Sequence, residues 1–411
     1  MTDQPYKEHK VCRICGCTDL TPYLDLGKLP LSNNLCNAPD EVAPVYPLVV
    51  ALCSDCGLSQ LTVVVDPKLL YSYYTYRSDT SKPYLDHCNK MALDLKERYN
   101  LTSNIFHIDI AGNDGALALE FKKVLGNSMS LNVDPAENLA PICEAKGIRA
   151  FTAFWGAEAA KHLQRTDWPK ADLITATNVI AHVDSIREFM QAVKDMLAPD
   201  GVCIIEAPYL IDFIENGEFD TVYFEHLSYM SVFPMYVLCE EIGLTLQKVE
   251  HQDIHGGSMR YHIGFNENAC RSVVTQIAKE RKYWGIETYK KFRSKANNTI
   301  EDFKWSLIRI KKMGYKIAGF AASAKGNTLL NCAGITKDDM LYIVDQTKKK
   351  IGKYSPGTQI PIVDIDVLVS DPPDYLVILA WNFQDVIIEK CRALGYKGRY
   401  IIGIPEFCIL D

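Results

Sequence analysis

The sequence predicts an α/β protein built from three consecutive parts, and three observations along its 411 residues lead to this prediction. Two Cys-x2-Cys pairs stand near the N-terminus, which is typical of a small zinc-binding module. An alternation of apolar runs with amphipathic stretches follows, and a second alternation comes after a long polar segment. Since this length exceeds one ordinary core, we expect an N-terminal module over 1–80, a central αβ domain over 81–265, and a helical linker with a C-terminal αβ domain over 266–411.

The composition, with 48% hydrophobic and 23% charged residues, is typical of a soluble globular enzyme. A formal net charge of -7 argues against nucleic acid as the main partner, because nucleic-acid binders concentrate Lys and Arg on one face. No apolar run approaches the length of a membrane span, and Met1–Lys10 lacks the apolar core of a signal peptide. We expect a cytoplasmic protein with no membrane partner, either monomeric or dimeric.

Four of the 14 cysteines stand apart by their spacing: Cys12, Cys15, Cys53 and Cys56. A glycine follows each pair and lets the backbone turn tightly, so that its amides face the sulfurs. Four thiolates at this spacing can close a tetrahedral structural zinc site with no open position for water or substrate. A redox Cys-x-x-Cys motif and chance are the alternatives.

The two alternations predict parallel sheets, each with helices between its strands. In the central part the predicted strands are Asn104–Ile110, Ser130–Val133, Asp172–Thr175 and Val202–Glu206, and the predicted helices are Ala116–Leu125, Glu137–Lys146 and Ser185–Leu197. In the C-terminal part the predicted strands are Lys316–Phe320, Met340–Val344, Tyr375–Leu379 and Arg399–Ile402, and the predicted helices are Asn327–Cys332 and Gln384–Leu394. Because ligands bind beyond the carboxyl ends of such strands, the segments that follow the strands are the candidates for function.

A polar glycine turn after the first central strand predicts the cofactor. Gly112, Asn113, Asp114 and Gly115 form this turn, and the next strand ends in Asp134, whose carboxylate can hold two ribose hydroxyls. NAD would use the same acid but prefers a G-x-G-x-x-G turn, which is absent here. The cationic cofactor S-adenosylmethionine needs no pyrophosphate site and suits nearby carboxylates, so it is favoured over NAD.

A compact group of proton-handling side chains lies farther along the chain. Tyr223, Glu225, His226 and Tyr229 fall within seven residues. A histidine beside a carboxylate and phenols can take a proton near neutral pH. Taken alone, the group is more typical of ordinary surface and hinge residues than of an active site.

Taken together, these motifs resemble those of the sugar C-methyltransferases that branch nucleotide-linked 4-keto-deoxysugars at carbon 3. The resemblance covers nearly the whole chain and implies a Rossmann-like class I methyltransferase domain in the middle and a Rossmann-like domain at the C-terminus. The segments that carry it are Cys12–Gly16, Leu29–Asn33, Cys53–Gln60, Tyr71–Ser78, Gly112–Gly115, Glu225–Tyr229, His255–Arg260, Ala324–Thr328 and Pro356–Thr358.

The resemblance also implies residue roles. His226 is the expected base at carbon 3, Tyr223 lies beside it, Glu225 orients or tunes the imidazole, and Tyr76 and His182 position the sugar or its enolate. The expected S-adenosylmethionine site consists of Gln60, Asp109, Gly112, Asn113, Asp114, Gly115, Asp134, Pro135 and Asn178. The expected substrate, a 4-keto-deoxysugar linked to TDP or GDP, meets His255, Arg260, Ser323, Lys325, Gly326 and Asn327.

Three alternatives stay open from the sequence. Lys325 can hold the pyrophosphate at a helix start, or it is a solvated loop lysine. The enzyme can be an O- or N-methyltransferase on a related sugar. The chain can also be a zinc-containing binding protein whose methyltransferase-like domain has lost activity.

Overall fold

The computed structural model describes residues 6–71, 77–126, 128–254, 256–266 and 270–411. Two predicted site residues, Tyr76 and His255, lie outside the described residues. The predicted α/β class is confirmed, because sheets of seven and six strands alternate with helices, beside a four-stranded antiparallel sheet. Across the described ranges, no helix combines the length and the apolar character that a bilayer span requires.

Residues 6–71, here called the N-terminal lobe, are mainly β-structure. The elements are β1 (Tyr6–Glu8), β2 (Leu20–Pro30), β3 (Val45–Cys53), β4 (Ser59–Leu61), β5 (Val63–Val65) and the short helix α1 (Pro67–Tyr71). Strands β2, β3 and β4 pair antiparallel in sequence order, and β1 pairs with β5. One cysteine pair precedes β2 and the other lies in the turn between β3 and β4, so the pairing of these strands brings the two turns together.

The central part contains a seven-stranded sheet. Its elements, with β11 pairing elsewhere, are α2 (Lys82–Tyr99), β6 (Phe106–Ile110), α3 (Ala116–Leu125), β7 (Met129–Asp134), α4 (Ala140–Ala145), β8 (Arg149–Thr152), α5 (Ala157–Arg165), β9 (Ala171–Thr177), α6 (Ile186–Met196), β10 (Leu197–Pro208), α7 (Leu210–Asn216), β11 (Ser228–Tyr229), α8 (Val232–Ile242), β12 (Thr245–Gln252) and β13 (Ser258–Gly264). The strand order is β12-β13-β10-β9-β6-β7-β8, and the strands from β10 to β8 run parallel.

The four central strands predicted from the sequence are present as β6, β7, β9 and β10. The edge strand β8 and the antiparallel pair β12–β13 were not predicted. Strand β8 is four residues long and only half-buried, so it lacks the apolar run of its neighbours. In contrast, every residue of β6 is buried, including His107 and Asp109. Both polar side chains form hydrogen bonds with Thr175 of β9. Its Oγ1 donates to Asp109 Oδ1 at 2.6 Å and lies 2.8 Å from His107 Nε2.

Strand β11 comes from the central part of the sequence but pairs with the sheet of the N-terminal lobe. Ser228 pairs with Gln60 of β4, and Tyr229 pairs with Ser59. Just before it, Leu227 donates its N–H to the carbonyl oxygen of Ala181 at 2.7 Å and accepts an N–H from Leu61 at 2.9 Å. The segment that follows His226 therefore connects the N-terminal lobe to the central part.

The C-terminal part forms a six-stranded sheet with the order β16-β15-β14-β17-β18-β19, which is parallel except for β19. Its elements are α9 (Arg271–Glu280), α10 (Ile286–Lys312), β14 (Ile317–Phe320), α11 (Ala324–Ala333), β15 (Ile343–Val344), β16 (Ile362–Val363), α12 (Val367–Ser370), β17 (Tyr375–Ile378), α13 (Gln384–Ala393), β18 (Arg399–Ile402) and β19 (Cys408–Leu410). The long helix α10 packs Tyr289 against Tyr23 of β2 and Phe292 against Phe213 of α7, with ring centroids 4.7 Å apart in both pairs. The boundaries between the three parts stay predictions.

One buried carboxylate holds the start of α8. Glu280 of α9 is 1% exposed and accepts the N–H groups of Val232 and Phe233 at 2.8 and 3.0 Å, and the hydroxyl of Tyr209 at 2.7 Å. These donors satisfy a buried charge that would otherwise be costly.

We expect Glu280→Ala to lower the free energy of unfolding by roughly 2–4 kcal/mol, because it leaves several buried donors without an acceptor. Urea denaturation followed by circular dichroism measures this change. The control is Glu287→Ala at the exposed first turn of α10, which should leave the midpoint nearly unchanged. Equal midpoints for the two variants would contradict the role of Glu280.

Candidate active site

The four cysteines converge as the spacing predicts. One ligand atom from each of Cys12, Cys15, Cys53 and Cys56 lies within 4.8 Å of the others. The Sγ atoms are 3.4 Å apart in the pair Cys12–Cys56 and 3.5 Å apart in Cys15–Cys53. Such separations suit four sulfurs that each lie about 2.3 Å from one zinc ion. The glycines after the two pairs have φ angles of 72° and 70°, so the tight turns do require glycine.

Two adjoining cavities lie at the carboxyl ends of β6, β7 and β9. The inner cavity has a volume of about 310 Å³ and extends toward the N-terminal lobe and the C-terminal part. The outer cavity, of about 420 Å³, extends over the end of β7. Four residues line both cavities: Ala111, Asn113, Asn178 and His182. Three of these, Ala111, Asn113 and Asn178, have φ between 52° and 55°, a strained backbone that is common at functional sites.

The end of β7 positions a carboxylate at the wall of the outer cavity. Asp134 accepts the N–H of Asn113 at 3.0 Å and that of Ala136 at 2.9 Å, one on each oxygen. A carboxylate oxygen can accept more than one hydrogen bond, so both oxygens can also hold ribose hydroxyls. Phe154 and Trp155 line the same cavity and offer apolar surface for a nucleobase. Both residues follow β8. Because the sequence did not predict β8, it did not predict these two residues as part of the cavity wall.

The glycine turn rests on buried acids. Asp109 is fully buried, which raises its pKa to about 7. A Cβ atom at Gly112 would lie 2.4 Å from both Asp109 Oδ2 and Asn132 Oδ1, so only glycine fits there. Asp114 is also buried and accepts the N–H of Asp79 at 3.1 Å. Neither acid is among the described residues that line the two cavities: Asp109 packs against Gly112, and the side chain of Asp114 is buried within the turn.

His226 is fixed in one orientation by two neighbours. Its Nδ1 lies 2.8 Å from the carbonyl oxygen of Thr221, and its Nε2 lies 2.8 Å from the hydroxyl of Tyr223. A carbonyl oxygen only accepts, so Nδ1 carries the hydrogen and Nε2 accepts from Tyr223. Burial, followed by the positive charge of a protonated His182 and of Lys325, lowers the pKa of His226 well below its usual value. The imidazole is therefore neutral and can accept a proton.

Glu225 and His182 complete the group. The carboxylate of Glu225 accepts a hydrogen bond from Asn33 Nδ2 at 2.6 Å, and burial raises its pKa to about 7. Thr221 and Tyr223 contact the two ring nitrogens of His226, and the expected role of Glu225 in orienting or tuning this imidazole stays a prediction. The ring of His182 lies 5.0 Å from that of His226, and burial lowers the pKa of His182 to about 4.

Only part of the predicted substrate and cofactor set reaches the cavities. Lys325, at the start of α11, lines the inner cavity, with Nζ 3.5 Å from Glu218 and 4.8 Å from the ring centre of Trp381. Arg260 lies within the sheet on β13, where its Nε donates to Glu206 at 2.9 Å. The predicted residues that do not line either cavity, within the described ranges, are Gln60, Asp109, Asp114, Gly115, Arg260, Ser323, Gly326 and Asn327.

Gln60 and Ser323 have structural contacts instead. Gln60 accepts the N–H of Arg13 and donates to the carbonyl oxygen of Val11, both at 2.9 Å, which braces the first cysteine turn. Ser323 caps α11 by accepting the N–H of Gly326 at 3.0 Å. The predicted binding roles of both residues stay predictions.

Sequence reasoning assigned no role to several residues that line the inner cavity. Asn33 closes the Leu29–Asn33 motif, and Tyr229 belongs to the proton-handling group, so the sequence held a signal for both. The sequence gives no comparable signal for Thr221 and Glu218, because only the folded turn before Tyr223 places them at the cavity.

Comparison with known proteins identifies the family. Three family models match consecutive segments: "Putative zinc binding domain" over residues 12–71, "Methyltransferase domain" over 84–249 and "C-methyltransferase C-terminal domain" over 253–405. C-methyltransferase NovU of Streptomyces niveus is 31% identical over 403 residues, which cover 96% of this chain and 95% of NovU. The chain belongs to the C-methyltransferase family.

Two solved methyltransferase structures resemble part of this C-methyltransferase. The S-adenosylmethionine-bound magnesium protoporphyrin IX methyltransferase of Synechocystis PCC 6803 has a TM-score of 0.34 and 10% identity, over 44% of this chain and 78% of that one. A S-adenosylmethionine-dependent methyltransferase of Clostridium acetobutylicum ATCC 824 also has a TM-score of 0.34, with 12% identity over 44% and 92% of the two chains. The family assignment rests on the family models and NovU.

The C-methyltransferase depends on S-adenosylmethionine and carries a zinc-binding domain, and the residues fit both groups. The four thiols suit structural zinc. Asp134, with its backbone-held oxygens, and the apolar wall of the outer cavity suit an adenosine group. The residues shared by the two cavities lie between this wall and the His226 side of the inner cavity. When bound, the cofactor supplies a methyl group on a positively charged sulfur.

We expect Asp134→Ala to weaken binding of S-adenosylmethionine by about 1–3 kcal/mol, because the ribose hydroxyls lose a charged acceptor. Isothermal titration calorimetry measures the affinity. Asp200→Ala, an exposed acid in the same part of the chain, should bind like the wild type. Unchanged affinity in Asp134→Ala would remove this residue from the cofactor site.

We expect zinc removal to loosen the N-terminal lobe and β11 before it affects chemistry directly, because the four thiolates hold the turn before β2 against the turn after β3. Hydrogen exchange with mass spectrometry should show faster exchange in peptides from residues 12–61 and 227–229. Cys12→Ser should lose zinc, whereas Cys17→Ser, a nearby cysteine outside the set, should keep it. A chelator that stops turnover without any change in exchange would contradict a structural zinc.

Proposed function

We propose that this enzyme methylates carbon 3 of a nucleotide-linked 4-keto-deoxysugar, with Tyr223 and His226 acting together as the base. One observation carries the proposal: the Nε2 lone pair of His226 faces the hydroxyl of Tyr223 at 2.8 Å in the cavity that adjoins the Asp134 wall. Removal of a proton from carbon needs a positioned base, whereas a hydroxyl or amino group that accepts a methyl group loses its proton more readily. The paired phenol and imidazole therefore support carbon as the methyl acceptor.

Carbon 3 of such a sugar is acidic because it neighbours the 4-keto group. Its C–H bond breaks, the proton passes to the pair, and the electron pair forms an enolate across carbons 3 and 4. The proton can reach Nε2 of His226 directly, or Tyr223 can take it while giving its own proton to Nε2. In both routes Nδ1 keeps its hydrogen on the carbonyl oxygen of Thr221, so the imidazole cannot turn away.

The enolate oxygen needs stabilisation, and His182 is the residue we assign to it. It lines both cavities and lies beside His226, so it can reach the reacting part of a sugar held between them. Asn178, which also lines both cavities, is a further candidate. The role predicted for Tyr76 stays a prediction.

The nucleotide part is proposed to lie toward the C-terminal part, with Lys325 near its pyrophosphate. This amine lines the inner cavity, and an anionic group there would compete with Glu218 for it.

A panel of TDP- and GDP-linked 4-keto sugars tests the proposed function. Mass spectrometry should show one added methyl group in the presence of S-adenosylmethionine, and NMR should place it on carbon 3 rather than carbon 5, which also neighbours the ketone. Exchange of the carbon 3 hydrogen in deuterated water should occur with the enzyme. A methyl group on oxygen, nitrogen or carbon 5 would contradict the proposal.

We expect His226→Asn to lower the rates of exchange and turnover by about 10²–10⁴-fold, the usual contribution of a positioned base. Tyr223→Phe should also slow exchange if the phenol relays the proton. Affinity for S-adenosylmethionine should stay within about twofold of wild type in both variants, since neither residue forms the Asp134 wall. His162→Asn, an exposed histidine on α5, is the matched control. An unchanged exchange rate in His226→Asn would remove it as the base.

A further inference from the structure

Asn33 reaches the inner cavity from the N-terminal lobe. Its Nδ2 donates to Oε1 of Glu225 at 2.6 Å, across 192 positions of sequence. Both side chains line the inner cavity, together with Tyr223 and His226. Glu225 is only 5% exposed, so its carboxylate is costly to bury without donors.

The loop that carries Asn33 is held on both sides. Asn34 donates its N–H to the carbonyl oxygen of Leu31 at 3.1 Å, which closes a turn around Asn33. Two residues later, Cys36 exchanges backbone hydrogen bonds with Tyr354 of the C-terminal part, both at 2.9 Å. The Asn33 side chain is therefore presented to Glu225 by a loop anchored on two parts of the molecule.

The other side of the contact is held by the same lobe. Glu225 lies three residues before β11, whose pairing with β4 ties the segment to the N-terminal sheet. Asn33 and Glu225 thus approach each other from two segments that both depend on the N-terminal lobe. A carboxylate held in this way is pre-organised to accept a hydrogen bond from a bound ligand.

We propose that Asn33 is a positioning residue of the reaction, which holds the Glu225 carboxylate against the inner cavity to accept a hydrogen bond from the hydroxyl or amino group of the sugar beside its reacting carbon. Asn33 acts through Glu225 and links the folded state of the N-terminal lobe to substrate binding. The inference rests on the proposed function only for the identity of the substrate.

Loss of the Asn33 donor has a defined electrostatic consequence. Burial raises the pKa of Glu225 to about 7, and the hydrogen bond from Asn33 opposes that rise. Without the donor the carboxylate takes up a proton at higher pH and no longer accepts from the sugar. Within the part of the chain that the structure describes, the other ionisable side chains that line the inner cavity are Tyr84, His182, Tyr209, Glu218, Tyr223, His226, Tyr229 and Lys325.

The kinetic test uses Asn33→Ala and Asn33→Asp in the full-length, zinc-loaded enzyme. We expect Asn33→Ala to lower kcat/KM for the sugar about tenfold, the scale of one hydrogen bond to a charged group, mainly through KM. Affinity for S-adenosylmethionine and zinc content should stay as in the wild type. The acid limb of the pH profile should move to higher pH, and further in Asn33→Asp, where two carboxylates face each other.

Asn34→Ala is the matched control, because it alters an exposed side chain of the same loop and leaves Asn33 in place. It should behave like the wild type. A kcat/KM within twofold of wild type in Asn33→Ala would overturn the inference. So would a parallel loss of zinc and cofactor binding, which would mean that Asn33 only supports the fold.

A titration without substrate separates this inference from the proposed function. The pKa of Glu225, measured by NMR of 13C-labelled glutamate and assigned with Glu225→Gln, should rise in Asn33→Ala and stay unchanged in Asn34→Ala. If the wild type methylates none of the 4-keto sugars, the proposed function fails, whereas this titration still decides the Asn33–Glu225 contact. An unchanged pKa in Asn33→Ala would overturn the inference.

Discussion

The antiparallel pairing of β11 with β4 determines where the proton-handling side chains lie. Only two residues of β11 take part, yet they begin two residues after His226 and add a strand to the N-terminal sheet. The N–H of Leu227 reaches back to Ala181, beside His182, so one short segment holds both histidines. Strand β4 begins two residues after a glycine turn of the cysteine site. A metal site with no open position can therefore matter for catalysis through backbone placement alone.

The central and C-terminal sheets share one feature at the carboxyl ends of their parallel strands: an aspartate that accepts two backbone N–H groups. Asp134 after β7 accepts backbone N–H groups from the preceding strand's turn and from two residues farther on. Asp345 after β15 does the same, with the N–H of Ala322 at 2.9 Å and that of Thr347 at 2.8 Å. In the C-terminal sheet Lys350 lies 3.5 Å from this carboxylate, whereas Asp134 lines a cavity. No internal repeat is evident in the sequence, because the likeness lies in backbone contacts rather than side chains.

Local patterns predicted the parts of the site that depend on neighbouring residues in the chain. The cysteine turns and the boundaries of α3 follow from spacing and periodicity, and both agree with the structure. Contacts between distant segments could not be predicted in this way. Asp109 ends a strand as an exposed ligand would, but the sheet buries it under the glycine turn. Likewise, the partner of His226 is a backbone carbonyl, and a carbonyl leaves no mark on the sequence.

Burial sets the charge balance of the inner cavity. His182 and His226 both have lowered pKa values, so each starts neutral, and their closeness disfavours protonation of both together. In the proposed reaction, a proton taken from the substrate therefore places one positive charge on the histidine pair, beside the negative charge of the enolate. The buried Glu225 carboxylate, when ionised, is a negative charge in the same cavity, and the donor that favours its ionised form comes from Asn33. With the proposed roles of His226 and Glu225, charge stabilisation in the central part depends on a side chain of the N-terminal lobe, which gives the zinc-bearing lobe an electrostatic reason to form part of the enzyme.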